Sequence, residues 1–188
     1  MVNDAILNGI EFSAVVEVFV YCVPPRKYDS IKQYHIANDR ATRMMAYLGA
    51  ALADAGVEAW RIKYFYWSVR PITAIWRLCD GGATLCTEAQ VAANPGRATY
   101  RGRWYSPITT PAFPAYPSGH ASFSGAGATV LAYFIPAAAA KVNDMAAEAA
   151  QSRVWAGIHY PEDSRDGLRL GEDIGNLAIE RAKTDGAP

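Results

Sequence analysis

Two histidines, three cationic side chains and one Pro-Ser-Gly-His turn carry the chemistry that this sequence can perform. They fall in three segments: Lys63 to Arg70-Pro71, then Pro117-Ser118-Gly119-His120, then Ser152-Arg153 followed by His159 and Asp163. A tetrahedral oxyanion needs positive charge, directed N–H and O–H donors, and a group to attack or ligate its central atom. Lys63, Arg70 and Arg153 offer the charge. Ser118 and the Gly119 backbone offer donors, and His120 and His159 offer acid–base and nucleophilic nitrogens.

Each piece alone has an ordinary structural reading. Lys63 and Arg70 could form a solvated basic face. The aromatic run Tyr64-Phe65-Tyr66-Trp67 between them instead predicts a buried helix with both cations on one face, where they need an anionic partner. Ser118 could be only an N-cap. At a helix start, however, exposed N–H groups and the helix dipole also favour an anion, and Gly119 lets the backbone approach closely. His159 and Asp163 are four residues apart. A carboxylate on one imidazole nitrogen would set the tautomer and leave the other nitrogen for a ligand or an attack. His35 matches no such pattern and reads as a surface or helix residue.

The elements that must position these groups are helical. Periodicity predicts a helix from Ala5 to about Tyr21, and another from about Ser30 to Ala55 that stops at Gly56. A helix from Val57 to Val69 would carry Lys63. Cys79 to Tyr116 reads as a long irregular segment lining the site. Further helices are predicted from Ser118 to about Ile135, from Ala137 to Ala156, and from Pro161 to about Lys183. Gly167, Gly171 and Gly175 lie along one face of the last helix and predict close approach to a neighbour. No segment alternates as a strand would, so the fold class is an all-α helical bundle. It forms a single domain over residues 1–188, with the motifs in about 57–183, and could be the C-terminal part of a longer protein.

Composition limits the partners. The 188 residues carry 18 basic and 18 acidic side chains, so no global basic field points to nucleic acid. No uninterrupted apolar run reaches the roughly 18 residues of a membrane span. The N-terminus lacks the pattern of a signal peptide. A soluble protein of unassigned compartment is expected. Cys79 and Cys86 bracket a turn-rich loop and could pair, with Cys22 left over; three reduced thiols fit equally well.

The ordered set K-x6-R-P, P-S-G-H and S-R-x5-H-x3-D resembles the superfamily shared by vanadium-dependent haloperoxidases and type 2 phosphatidic-acid-type acid phosphatases. The flanks, Trp60, Arg70-Pro-Ile-Thr-Ala-Ile75 and Pro111-Ala-Phe113-Pro-Ala-Tyr116, resemble the haloperoxidase branch. The resemblance implies vanadate bound covalently through His159. Its equatorial oxygens would be held by Lys63, Arg70, Ser118, Gly119 and Arg153, with His120 on an apical oxygen. It further implies hydrogen peroxide and halide as substrates, with an organic substrate beyond them, and Phe113 and Trp60 in the halide pocket. Phosphate can occupy the same site. With a phosphate ester, the alternative activity is that of an acid phosphatase, in which His159 attacks phosphorus and His120 protonates the leaving alcohol. A non-catalytic helical scaffold would leave both histidines unused.

Overall fold

The computed structural model describes residues 38–80 and 104–187. Among these residues the secondary structure is helical, as the missing strand alternation implies. The elements are α1 (Asn38–Tyr66), α2 (Pro71–Asp80), α3 (Gly119–Phe134), a 3-10 turn (Pro136–Ala138), α4 (Ala139–Trp155) and α5 (Pro161–Thr184). The helix expected over residues 5–21, His35, Cys22 and the Cys79–Cys86 pairing lie outside the described residues or side chains.

Helix α1 buries Ala41, Met44, Leu48, Ala51, Ala55, Ala59 and Lys63, a row at three- and four-residue steps. Gly56 does not stop it. A glycine inside a helix costs about 1 kcal/mol relative to alanine, whereas this one lies against the Phe123 ring, where a Cβ would come within 3.0 Å. The helix ends at Tyr66 instead, and Trp67 takes up a left-handed φ of 49°, a C-terminal position usually given to glycine. The expected helix through Val69 therefore breaks before Arg70. Pro71 opens α2 rather than ending a helix, as its fixed φ and missing N–H allow. Lys63 and Arg70 thus belong to different local structures and share no helix face.

Helix α3 is apolar on nearly every side and lies at the centre, packed on α1, α4 and α5. Its contact with α5 is the closest. A Cβ on Gly167 would lie 2.7 Å from the Ser118 carbonyl oxygen, and one on Gly175 would lie 2.7 Å from Thr129 Cβ. On Gly171 it would collide with the Ser122 carbonyl, and on Gly125 it would lie 2.5 Å from the Leu168 carbonyl. The glycine face expected on the last helix is this interface, completed from α3 by Gly125.

The distal end is closed by polar contacts from α1. Arg40 Nη2 donates to the Phe134 carbonyl at 3.0 Å, at the end of α3. Arg43 donates to the Ala182 carbonyl and to Asp185, which also accepts the Tyr47 hydroxyl at 2.8 Å. Two arginines therefore satisfy helix C-terminal carbonyls that would otherwise lack partners. No helix among the described residues is long and apolar enough to cross a membrane.

Substituting Gly171→Ala should lower stability by about 3 kcal/mol or more, since the added methyl meets backbone that cannot rotate away. Gly49→Ala, where nothing lies within 4 Å, should instead raise stability by about 0.5–1 kcal/mol. Thermal or urea unfolding of the two variants measures both signs.

Candidate active site

The turn between α1 and α2 brings in the first cations. Lys63, fully buried, donates from Nζ to the carbonyls of Pro114 at 2.9 Å, Ala115 at 3.0 Å and Pro117 at 2.6 Å. The sequence reading has this ammonium on an anion; here three loop carbonyls hold it. Arg70 is also buried. Its Nε donates to the Phe113 carbonyl at 2.8 Å, and its Nη1 donates to the Ile158 carbonyl at 2.9 Å and to His159 Nε2 at 3.0 Å. The neighbouring aromatics do not cause this burial. Phe65, Tyr66 and Trp67 are 73%, 61% and 68% exposed, so the expected buried aromatic helix is not found. The 113–117 segment covers the cations instead.

Ser118 is the N-cap of α3, with its Oγ accepting from the Ala121 N–H at a long 3.4 Å. The capping expectation holds, and no acceptor among the described residues takes its hydroxyl hydrogen. Gly119, at the first helical position, lies under Trp60, where a Cβ would come within 3.1 Å of the indole. His120 follows on the same turn.

The third segment enters from α4 and α5. Arg153, half-buried near the end of α4, donates from Nε to Ser152 Oγ at 3.0 Å, and its Nη1 stands 3.5 Å from His120 Nε2, the outer limit of a hydrogen bond. It has no carboxylate partner among the described residues. His159 lies in the turn before α5. Its Nδ1 is 3.0 Å from Asp163 Oδ2, which also accepts the Tyr160 N–H at 3.0 Å. Since Arg70 can only donate to Nε2, the proton sits on Nδ1 and Asp163 accepts it. The Asp163 carbonyl accepts the Ser118 N–H at 2.8 Å, joining the starts of α3 and α5 directly.

The same cations act on both imidazoles. Burial pushes His120 down to about 3, aided by Arg153, His159, Lys63 and Arg70. Burial also lowers His159, to about 4; the hydrogen bond to Asp163 opposes this, while Arg70 and Lys63 add to it. Both imidazoles are therefore neutral at neutral pH, held so by low dielectric and by adjacent positive charge.

An aromatic wall completes the site. Phe113 packs on Trp60 with ring centroids 5.2 Å apart, and its face receives Lys63 Nζ at 5.2 Å and the Arg70 guanidinium at 4.9 Å. Sequence reasoning missed Ser68. Its carbonyl accepts the Ala115 N–H at 3.1 Å, and its Oγ accepts the Tyr116 N–H at 2.6 Å. A lone serine after an aromatic run gives no signal of such a role.

All ten residues named from the sequence lie around this cluster. A tetrahedral oxyanion suits the groups present: a half-buried guanidinium without a carboxylate among the described residues, a hydroxyl hydrogen without an acceptor, a helix N-terminus with no side chain at Gly119, and a histidine whose unprotonated Nε2, which accepts from Arg70, could ligate the central atom. Among the described residues, no group of three or more His, Cys, Asp or Glu side chains could hold a bare metal ion.

The chain is similar to known proteins of one family. The model of the VCPO second helical-bundle domain matches residues 43–139 and 136–185. The vanadium chloroperoxidase of Curvularia inaequalis is 30% identical over 120 residues, 55% of this chain and 18% of that protein. The crystal structure of the first bacterial vanadium-dependent iodoperoxidase superposes with a TM-score of 0.62 at 24% identity, covering 80% of this chain and 36% of that one. The chain thus spans much less than half the length of either relative, and the iodoperoxidase likeness shows the fold. With the family model covering most of the chain, the sequence belongs to the vanadium haloperoxidase superfamily as a VCPO-type second helical-bundle domain.

Proposed function

We propose that this domain binds vanadate at the His159 site and serves a vanadium-dependent haloperoxidase, oxidising halide with hydrogen peroxide. The observation that carries the reading is Arg153, a half-buried guanidinium with His120 at 3.5 Å and no carboxylate partner among the described residues. A cation placed so beside a neutral histidine calls for an anion. The match to a protein named vanadium chloroperoxidase supports vanadate as that anion.

Bound vanadate would supply a Lewis-acidic centre that holds hydrogen peroxide and makes it electrophilic toward halide. The protein does the rest. Asp163 accepts the Nδ1 proton, so Nε2 is the nitrogen that His159 would offer as a ligand. Arg70 and Arg153 would neutralise the oxyanion, Lys63 would add its charge from behind the 113–117 segment, and Ser118 and the Gly119 N–H would donate to oxygens. His120, neutral at rest, can take a proton from an incoming peroxide and return it. Phe113 and Trp60 exclude water on one side, which favours a poorly hydrated halide.

The same His159–Asp163 pair supports a second reading, an acid phosphatase acting on phosphate monoesters. His159 Nε2 would form a bond to phosphorus as the ester oxygen leaves with a proton from His120, which must first be protonated, as acid pH or the negative charge of a bound ester would favour; water would then release phosphate. Halide oxidation after vanadate loading, assayed beside aryl phosphate hydrolysis without vanadate, separates the two. Halide-dependent peroxidase activity is the expected result, and turnover of the phosphate ester alone would replace it with the phosphatase.

His159→Ala should abolish vanadate-dependent activity, while Asp163→Asn should reduce it about 10- to 100-fold by loosening the imidazole. Steady-state rates together with melting curves show whether the loss is chemical or structural.

The depressed histidines also set an acid limb of stability. Their ordinary value is 6.5 and the folded values are about 3 for His120 and about 4 for His159. Between about pH 6.5 and 4 the unfolded chain therefore binds more protons, so anion-free protein loses stability as pH falls through that window. Melting temperatures across pH should show this slope, and His120→Gln should flatten part of it.

A further inference from the structure

The segment from Phe113 to Pro117 is short of partners of its own. It is not helical, and Pro114 and Pro117 lack an N–H. Its carbonyls are covered by the surrounding structure, where an unmet C=O is costly. Lys63 answers three of them, at Pro114, Ala115 and Pro117, with a single ammonium. An ammonium has three N–H donors, and three loop carbonyls face them here. Arg70 Nε takes the Phe113 carbonyl. The segment's amides turn the same way: the Ala115 N–H goes to the Ser68 carbonyl and the Tyr116 N–H to Ser68 Oγ. The next residue is Ser118, the cap of α3.

We propose that Lys63 and Ser68 are positioning residues, which clamp the 113–117 segment and thereby place Ser118, Gly119 and Phe113 for the anion. The inference rests on the oxyanion-site reading above, but the clamp itself can be measured without any anion.

Amide hydrogen exchange on the anion-free chain makes that measurement. In Lys63→Met the Ala115 and Tyr116 amides, and in Ser68→Ala the Tyr116 amide that loses its Oγ acceptor, should exchange about tenfold faster than in wild type, with the C-terminal half of α5 unchanged. Ser68→Thr, which keeps the oxygen, should restore wild-type exchange. Calorimetric titration with orthovanadate then tests the consequence. Ser68→Ala should bind about tenfold more weakly although its side chain is not in the donor set, and Ser68→Thr should bind normally. The double variant should lose less than the product of the two single losses, because both act through one segment.

Wild-type exchange in Lys63→Met together with weakened vanadate binding would make Lys63 a direct ligand and overturn the clamp. So would wild-type affinity in Ser68→Ala, or losses that multiply. If Lys63→Met does not fold, Ser68→Ala against Ser68→Thr decides by the same criteria. A wild-type protein that fails to bind vanadate would sink the oxyanion-site reading, while exchange in the variants would still decide the clamp.

Discussion

The close crossing of α3 and α5 is the constraint on which the site depends. Helices with ordinary side chains between them pack about 8–10 Å apart. Here Gly125, Gly167 and Gly171 remove the side chains, so that backbone meets backbone. The contact is so tight that the Asp163 carbonyl takes the Ser118 N–H directly. The N-terminus of α3, carrying Ser118, Gly119 and His120, is thereby fixed against the N-terminus of α5, which carries Asp163 and follows His159. A wider crossing would separate the two histidines and leave the first-turn amides to water.

Around that joint the fold solves an electrostatic problem. It gathers the buried Lys63 and Arg70 and the half-buried Arg153 beside two neutral histidines. Such a cluster repels itself and is tolerable only because local dipoles offset it. Backbone carbonyls of Phe113, Pro114, Ala115, Pro117 and Ile158 face the buried Lys63 and Arg70. The π face of Phe113 stands within 5.2 Å of both groups. These are partial charges, so the site keeps a net positive potential.

The far end of the bundle shows the opposite use of arginine. Arg40 and Arg43 are set on helix C-termini and on Asp185, which lies well below the usual carboxylate range at about 2, first through its hydrogen bond with Arg43. Arg43 is paired with Asp185, and Arg40 donates to a helix-end carbonyl, so both serve the fold. Arg153 differs: among the described residues its side chain meets Ser152 and His120 and no carboxylate.

Much of this was legible from residue order alone. The helix starts at Ser118 and Pro161 follow from capping and from proline's fixed φ, both local effects, and the structure places them there. The glycine face of α5 and the His159–Asp163 pair are likewise set by short-range spacing. The end of α1 was not legible, because Gly56 is a helix breaker by propensity and becomes a packing residue only when Phe123 lies on it. Nor was the burial of Lys63 and Arg70, which comes not from the adjacent aromatics but from the 113–117 segment, some fifty residues on. Sequence determined which groups could do chemistry and which helices carry them, since those depend on neighbours a few residues away. Tertiary structure decided what each cation touches and how near the histidines stand, because those depend on carbonyls and rings that only packing brings together.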